Sequence, residues 1–207
     1  MTDETYKIDP DRDAKWGFAV RTLRAGDASA AVTLLKSLAR EGEQAAFREI
    51  GNIYEIGGNG VEQDYKQAMR WYQRSFNEAD DVQGCLALAR LYYLGRGTKI
   101  DYAKAFEYYS VLENNNHPIA MFQLGQMYYL GQGVEPDLDK AAYYYEQAAD
   151  QGHLYALRFI GYIKQRQGHI FSGMWLRVKS MVRLFFAIII ARQKYGDYRK
   201  DPRLRTC

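Results

Sequence analysis

The chain has 207 residues, 28 Lys and Arg against 25 Asp and Glu, 47% hydrophobic and 26% charged side chains, and a formal net charge of +3. That composition excludes an intrinsically disordered chain, and two cysteines exclude the disulfide framework of a small secreted scaffold. The charge is unevenly placed: residues 169–207 hold nine basic and two acidic side chains, a local +7 that leaves −4 on residues 1–168 and points to an acidic partner or surface.

Residues 1–13 contain five acidic side chains and no apolar run, whereas a secretory signal needs a basic start and roughly 7–15 apolar residues. A flexible acidic amino terminus and a cytoplasmic setting are expected. Cys85 and Cys207 stand far apart in unlike surroundings, which fits free thiols in a reducing compartment. Residues 14–43 read as a degenerate helix pair turning at Gly26 and Asp27, with Ala31, Leu34, Leu35, Leu38 and Ala39 on its second helix.

A repeat follows. Residues 46–54 with Gly57 and Gly60 recur as 84–92 with Gly95 and Gly97, and again as 120–128 with Gly131 and Gly133. Each copy leads into a second block headed by Asp64, Asp101 or Asp137, with the aromatic pairs Trp71 and Tyr72, Tyr108 and Tyr109, Tyr144 and Tyr145. Gly57 and Gly95 are 38 residues apart, Gly95 and Gly131 are 36 apart, and a period in this range predicts stacked two-helix units. Ala46, Ile50, Ile53 and Tyr54 share one helical face, the glycines end that helix, and the aspartates are placed to cap the next one. Gly51, Ala89, Gly125 and Gly161 occupy one repeat position and keep it small, as close helix contact requires.

These residues resemble the Sel1-like repeat of the tetratricopeptide superfamily. The fullest match is residues 120–152, with Leu124, Gly125, Tyr128, Gly131, Gly133, Val134, Asp137, Lys140, Ala141, Tyr144, Tyr145, Ala148 and Ala149 in register. Three such repeats cover 46–153. Residues 154–168 begin a fourth, with Ala156, Ile160 and Gly161 in place, but Lys164 replaces the Tyr and only Gly168 remains of the glycine loop. The resemblance implies an all-α fold, a right-handed α-solenoid of stacked helix pairs, and a scaffold or adaptor role in envelope, polysaccharide, signalling or quality-control pathways. Some relatives are described as hydrolases, but those are cysteine-rich, and this chain has no such cysteines.

No catalytic cluster, phosphate loop or metal-ligand spacing is present, so no catalytic residue, cofactor or metal is expected. His117 and His153 are 36 apart at the same loop position and read as structural. The concave face of a helix-pair stack is lined by the first helices. Positions that vary between copies there are Asn52, Arg90, Gln126 and Tyr162, then Glu55, Tyr93, Tyr129 and Gln165. This Tyr-, Arg- and amide-rich set suits a protein or peptide partner, and inter-repeat contact is the competing reading for each residue. Asn52, Glu55, Arg90, Tyr93, Gln126, Tyr129 and Tyr162 form the candidate binding face.

Residues 169–195 predict a basic amphipathic helix. Val178, Met181, Val182, Phe185, Ile188 and Ile189 share one side, Lys179, Arg183 and Lys194 the other, and Trp175 and Tyr195 flank the stretch. Its uncharged run of eight residues falls well short of the roughly 20 that span a bilayer. Three settings stay open: an anionic membrane interface, a cap that buries the apolar side on the solenoid, and a partner's groove. Nucleic acid is not favoured, since the cations share space with bulky aliphatics and no recognition motif is present. A basic tail, 196–207, follows with Arg199, Lys200, Arg203 and Arg205.

Overall fold

The computed structural model describes residues 10–195, and among them the regular structure is helical, with two isolated bridges at the first glycine loop. Two compact units divide the chain, Met1–Ile100 and Asp101–Cys207. The division falls in the exposed stretch after the second glycine loop, where Thr98, Lys99 and Ile100 bury little surface.

The first unit contains α1 (Pro10–Arg24), α2 (Ala28–Arg40), α3 (Ala45–Ile56), α4 (Tyr65–Ala79) and α5 (Val82–Leu94), each packed on the next. Residues 10–13, expected to be flexible, belong to α1: proline brings a helix-compatible φ, and Asp11 and Asp13 stand in the first turn, where the dipole favours carboxylates. Residues 1–9 and 196–207, including the four tail cations and Cys207, lie outside the described residues, as do the side chains of Lys194 and Tyr195. The core joins Ala31, Leu35 and Leu38 of α2 to Ala46, Ile50 and Ile53 of α3, with Trp16 and Trp71 against its edge.

The second unit contains α6 (Tyr102–Val111), α7 (Pro118–Leu130), α8 (Leu138–Asp150), α9 (Ala156–Arg166) and α10 (Ile170–Tyr195), again packed in succession. Its core gathers Met121 and Phe122, Ala141, Tyr145 and Ala148, Ala156, Ile160 and Ile163.

The local signals act as the sequence implies. Asp64 accepts from the Lys66 and Gln67 amides at 2.9 and 3.0 Å, Asp137 from Asp139 and Lys140 at 3.0 and 2.9 Å, and Asp101 from Lys104 at 3.0 Å. Such caps satisfy first-turn donors and contribute about 1 kcal/mol each. The amides of Asp64 and Asp137 also donate to the carbonyls of Tyr54 and Tyr128, closing each loop back onto its first helix. At Gly97 and Gly133 φ is positive, and a Cβ would collide with the backbone of Tyr65 or Tyr102, where the preceding second helix starts. Glycine is required there twice over.

In the α3–α4 and α7–α8 pairs the small repeat position receives a large residue. A Cβ on Gly51 would lie 2.6 Å from the Tyr72 ring, and one on Gly125 would lie 2.9 Å from the Tyr145 ring. Tyr72 and Tyr145 are consequently buried almost completely, each contributing on the order of 3 kcal/mol through its apolar body.

In the α9–α10 pair this arrangement changes. Gly161 meets the Gly173 carbonyl and the Arg177 stem, and a Cβ on Gly173 would lie 2.6 Å from the Gly161 carbonyl. The buried side of α10 is therefore its small-residue side, Gly173, Ser180, Ala187 and Ala191, with the Ser180 hydroxyl donating to the Leu154 carbonyl at 3.1 Å. A cap that buries Val178, Met181, Val182, Phe185 and Ile189 is overturned: all five are exposed, and Ile188 alone of that face is half-buried. Backbone approach at Gly161 leaves no depth for large side chains.

His153 follows α8, buried and stacked on Phe122 with ring centroids 4.1 Å apart, and neither ring nitrogen has a hydrogen-bond partner among the described residues. Burial pushes its pKa down to about 4 from 6.5. The unfolded chain therefore takes up the proton first, so His153 stabilises the fold fully above pH 6.5 and loses that contribution as pH falls toward 4. Between pH 7 and pH 5 the loss is about 2 kcal/mol. Urea unfolding at the two pH values is expected to show this drop in the native chain and to lack it in His153→Leu; equal slopes in both would contradict it.

Candidate binding surfaces

On α3 and α5 the predicted slots form a network. The Tyr72 hydroxyl lies 2.8 Å from Asn52 Oδ1 and donates to Glu55 Oε2 at 2.7 Å, and Arg90 Nη2 reaches both Glu55 oxygens at 2.6 and 2.7 Å. Asn52 Nδ2 donates to Glu49 at 3.4 Å. Glu55, expected on the open face, is buried: its carboxylate is enclosed by the tyrosine that fills the space over Gly51 and by the arginine of the following repeat. Burial and the adjacent Glu55 charge raise the Tyr72 pKa, so its phenol stays a donor. Arg90 remains exposed above this pair, and Tyr93 is half-buried one turn on.

In the second unit Gln126 and Tyr129 are half-buried on α7, with the Arg166 guanidinium 5.9 Å from the Tyr129 ring centroid. Tyr162 accepts from Arg158 at 3.1 and 3.2 Å and carries the Arg177 guanidinium over its ring at 4.3 Å. The Arg158 hydrogen bonds lower its pKa. Arg177 Nη1 also donates to Gln165 at 3.1 Å, so Tyr162 and Gln165 tie α10 to α9. What remains open on the first helices is Arg90, with parts of Tyr93, Gln126 and Tyr129.

The structure adds residues that slot comparison missed. Ile56, Leu94 and Leu130 close α3, α5 and α7 and are 77%, 44% and 50% exposed. All three stand two residues after the repeat tyrosine, at Tyr54, Tyr92 and Tyr128. An aliphatic conserved in type through the copies looks like scaffold; only its exposure marks it as surface.

Among the described residues, a broad apolar surface lies on α10. Met174, Trp175, Val178, Met181, Val182, Phe185, Phe186 and Ile189 point away from the α9 contact, Trp175 at 67% and Phe185 at 62% exposure. Lys179 and Arg183 stand along one margin of this face, and Arg192 stands at its carboxy-terminal end, two turns beyond Phe185, all exposed. With those cations and Arg177 in its length, α10 does not qualify as a membrane span; no described helix is long and apolar enough to cross a membrane. Cys85 is buried in α5, and its thiol is pushed up to about 12 by that burial, which removes it from nucleophilic chemistry at neutral pH.

Replacing Tyr72 by Phe leaves the Glu55 carboxylate buried with one donor fewer. Chemical denaturation is expected to show a loss of about 2 kcal/mol; unchanged stability would mean that Glu55 is solvated in the native state.

The family model of the Sel1 repeat matches residues 48–80, 82–111 and 118–153. An ERAD-associated E3 ubiquitin-protein ligase component, HRD3B of Arabidopsis thaliana, is 32% identical over 94 residues, which are 44% of this chain and 14% of that protein. The chain thus spans about one seventh of the curated relative it matches. Among solved structures, a Sel1 repeat protein from Oxalobacter formigenes superposes with a TM-score of 0.67 at 26% identity, over 83% of this chain and 73% of that one. A protective antigen of uropathogenic Escherichia coli strains with an SLR fold gives a TM-score of 0.73 at 22% identity, over 93% of this chain and 44% of that one. Sel1 repeats are in general a non-catalytic, protein-binding fold that serves as an interaction scaffold. With three repeats in register and helix pairs of the same solenoid class, this chain is a Sel1-repeat protein of the tetratricopeptide type.

Proposed function

We propose that this chain is a non-enzymatic adaptor that rests on the cytoplasmic face of a membrane. Protein partners are held by the open sides of the first helices, in the first unit around Arg90 and Tyr93 with the exposed Ile56 and Leu94, and in the second unit, taken by itself, around Gln126 and Tyr129 with the exposed Leu130. The observation that carries the membrane half is the outward side of α10, eight large apolar residues with cations along one margin and at its carboxy-terminal end. A helix built this way lies in the plane of the interface, its apolar side among the acyl chains and its cations at the headgroups.

Magnitudes favour this reading. Each of the eight residues, already part-buried, gains roughly 1 kcal/mol on leaving water, and each cation near an anionic leaflet adds about 1 kcal/mol. The sum exceeds the roughly 5.5 kcal/mol that a single myristoyl chain provides for reversible attachment. The cytoplasmic leaflet supplies the anionic lipid that such a helix prefers. A scaffold role agrees with a relative that is a component of a multi-protein ligase. An envelope, polysaccharide or signalling pathway is the setting we propose for it.

Flotation with vesicles containing phosphatidylglycerol is expected to carry the full chain upward, weakly or not at all with neutral phosphatidylcholine. The triple variant Trp175→Ser, Phe185→Ser, Phe186→Ser, all at exposed sites, is expected to keep its melting temperature and lose flotation by at least about tenfold. A native chain that stays at the bottom of the gradient with both lipids would overturn the membrane half, leaving α10 as a cap or a partner-docking helix.

A further inference from the structure

A groove runs between α2 and α4, on the second helices of the first two pairs and so apart from the surfaces proposed above. Both helices pack on α3. One wall is a stripe of α2 from Ser29 through Lys36 to Arg40, and the other is a stripe of α4 from Gln67 through Trp71 to Arg74. Two cavities of about 620 and 380 Å³ lie along it and share Lys36.

The smaller cavity is lined by Lys36, Ala39, Arg40, Trp71 and Arg74, three cations around an indole. Each cation is held or left in a way that leaves positive charge available. Lys36 Nζ donates to the neutral Tyr54 hydroxyl at 2.9 Å and lies 5.3 Å from that ring's centroid. Arg74 lies over Phe47 at 4.4 Å and Trp71 at 5.2 Å, and pairs with Glu78 through Nε and Nη2, so its plane is fixed while Nη1 stays outside the pair. Arg40 is exposed in the last turn of α2. Among the described residues one carboxylate, Glu78, thus answers three cations.

Past Lys36 the larger cavity changes character: Glu62 and the capping carboxylate Asp64 enter its lining against one further cation, Lys66, with Val32 and Val61 beside them. A polyanion laid along the groove would meet those carboxylates. A segment acidic at one end only would not. From Ser29 to Arg40 the α2 stripe extends roughly 16 Å, the length of about five extended residues.

We propose that the α2–α4 groove is a second protein-recognition site, one that takes a segment of about five residues with carboxylate side chains at the Arg40 and Arg74 end and an apolar side chain against Trp71. Arg40 and Arg74 receive the carboxylates by charge-assisted hydrogen bonds, and Lys36 sets the point where acidity must end. An adaptor with this site and the open side of the first helices has two independent places for partners.

The test is fluorescence anisotropy of the full chain with a fluorescein-labelled peptide, Lys-Gln-Leu-Glu-Glu. Saturable binding is expected, weakened at least about tenfold when the two Glu of the peptide become Gln. The variant Arg40→Glu with Lys36→Gln is expected to weaken it as much, while Lys99→Glu with Lys104→Gln, the same change in net charge placed elsewhere, leaves it unchanged. Circular dichroism melts of both variants check that the fold persists. No saturation below about 1 mM, equal weakening by both charge variants, or tighter Arg40-dependent binding of a ten-nucleotide oligothymidylate would each overturn the proposal.

Discussion

Much of this chain follows from one steric contact, the seat that a small residue on the first helix of a pair offers to the second helix. At Gly51 and Gly125 the seat is filled by a tyrosine ring, from Tyr72 and Tyr145, and the ring leaves no room for even one methyl group. This contact sets how near the helices come and which side of each second helix is inward. It also explains how a chain with 18 tyrosines and a mean hydropathy of −0.47 builds cores. The ring bodies are buried, and the Tyr72 phenol, buried with its ring, has a partner. The partner is Glu55, which in turn holds Arg90, so a packing requirement inside one repeat becomes a hydrogen-bonded link to the next.

At the last pair the same seat receives backbone in place of a ring. Gly161 faces Gly173, and the inward side of α10 is small as a result. Bulk that would enter a core in an ordinary amphipathic helix is directed outward, toward Trp175, Phe185 and Phe186. The described cations Arg177, Lys179, Arg183 and Arg192 and this outward apolar side belong to one element. Their coincidence is what separates α10 from a plain terminal cap, whose outer face is polar.

The helix pairs were legible because their signals are local and repeated. Asp64, Asp101 and Asp137 each act within four residues of themselves, and the glycines mark turns through φ alone. The burial of Glu55 was not legible, since it depends on Tyr72 and Arg90 arriving from two other helices at once. Asn52 and Tyr162, read from the sequence as concave-face binding positions, are half-buried and drawn into contacts with neighbouring elements, Asn52 with Tyr72 and Tyr162 with Arg177. The orientation of α10 stays open in the sequence for a different reason. A helical wheel sorts residues onto sides but does not say which side is buried, and here the depth available at Gly161 decides. The pattern Gly173, Ser180, Ala187, Ala191 in the sequence carried that information, overshadowed by the larger residues between them.

The orientation of α10 underlies both the fold of the last pair and the membrane reading, and it is open to direct measurement. Thiol-labelling rates distinguish the two sides in the full chain with Cys207→Ser, where Cys85 is silent because it is buried and its thiol is pushed up to about 12. A cysteine placed by Val182→Cys is expected to label at a rate close to that of a free thiol, and one placed by Ser180→Cys, a near-isosteric change at a buried site, at least about a hundredfold more slowly. Protection at 182 together with rapid labelling at 180 would mean that α10 turns its large apolar side inward, and would contradict the account.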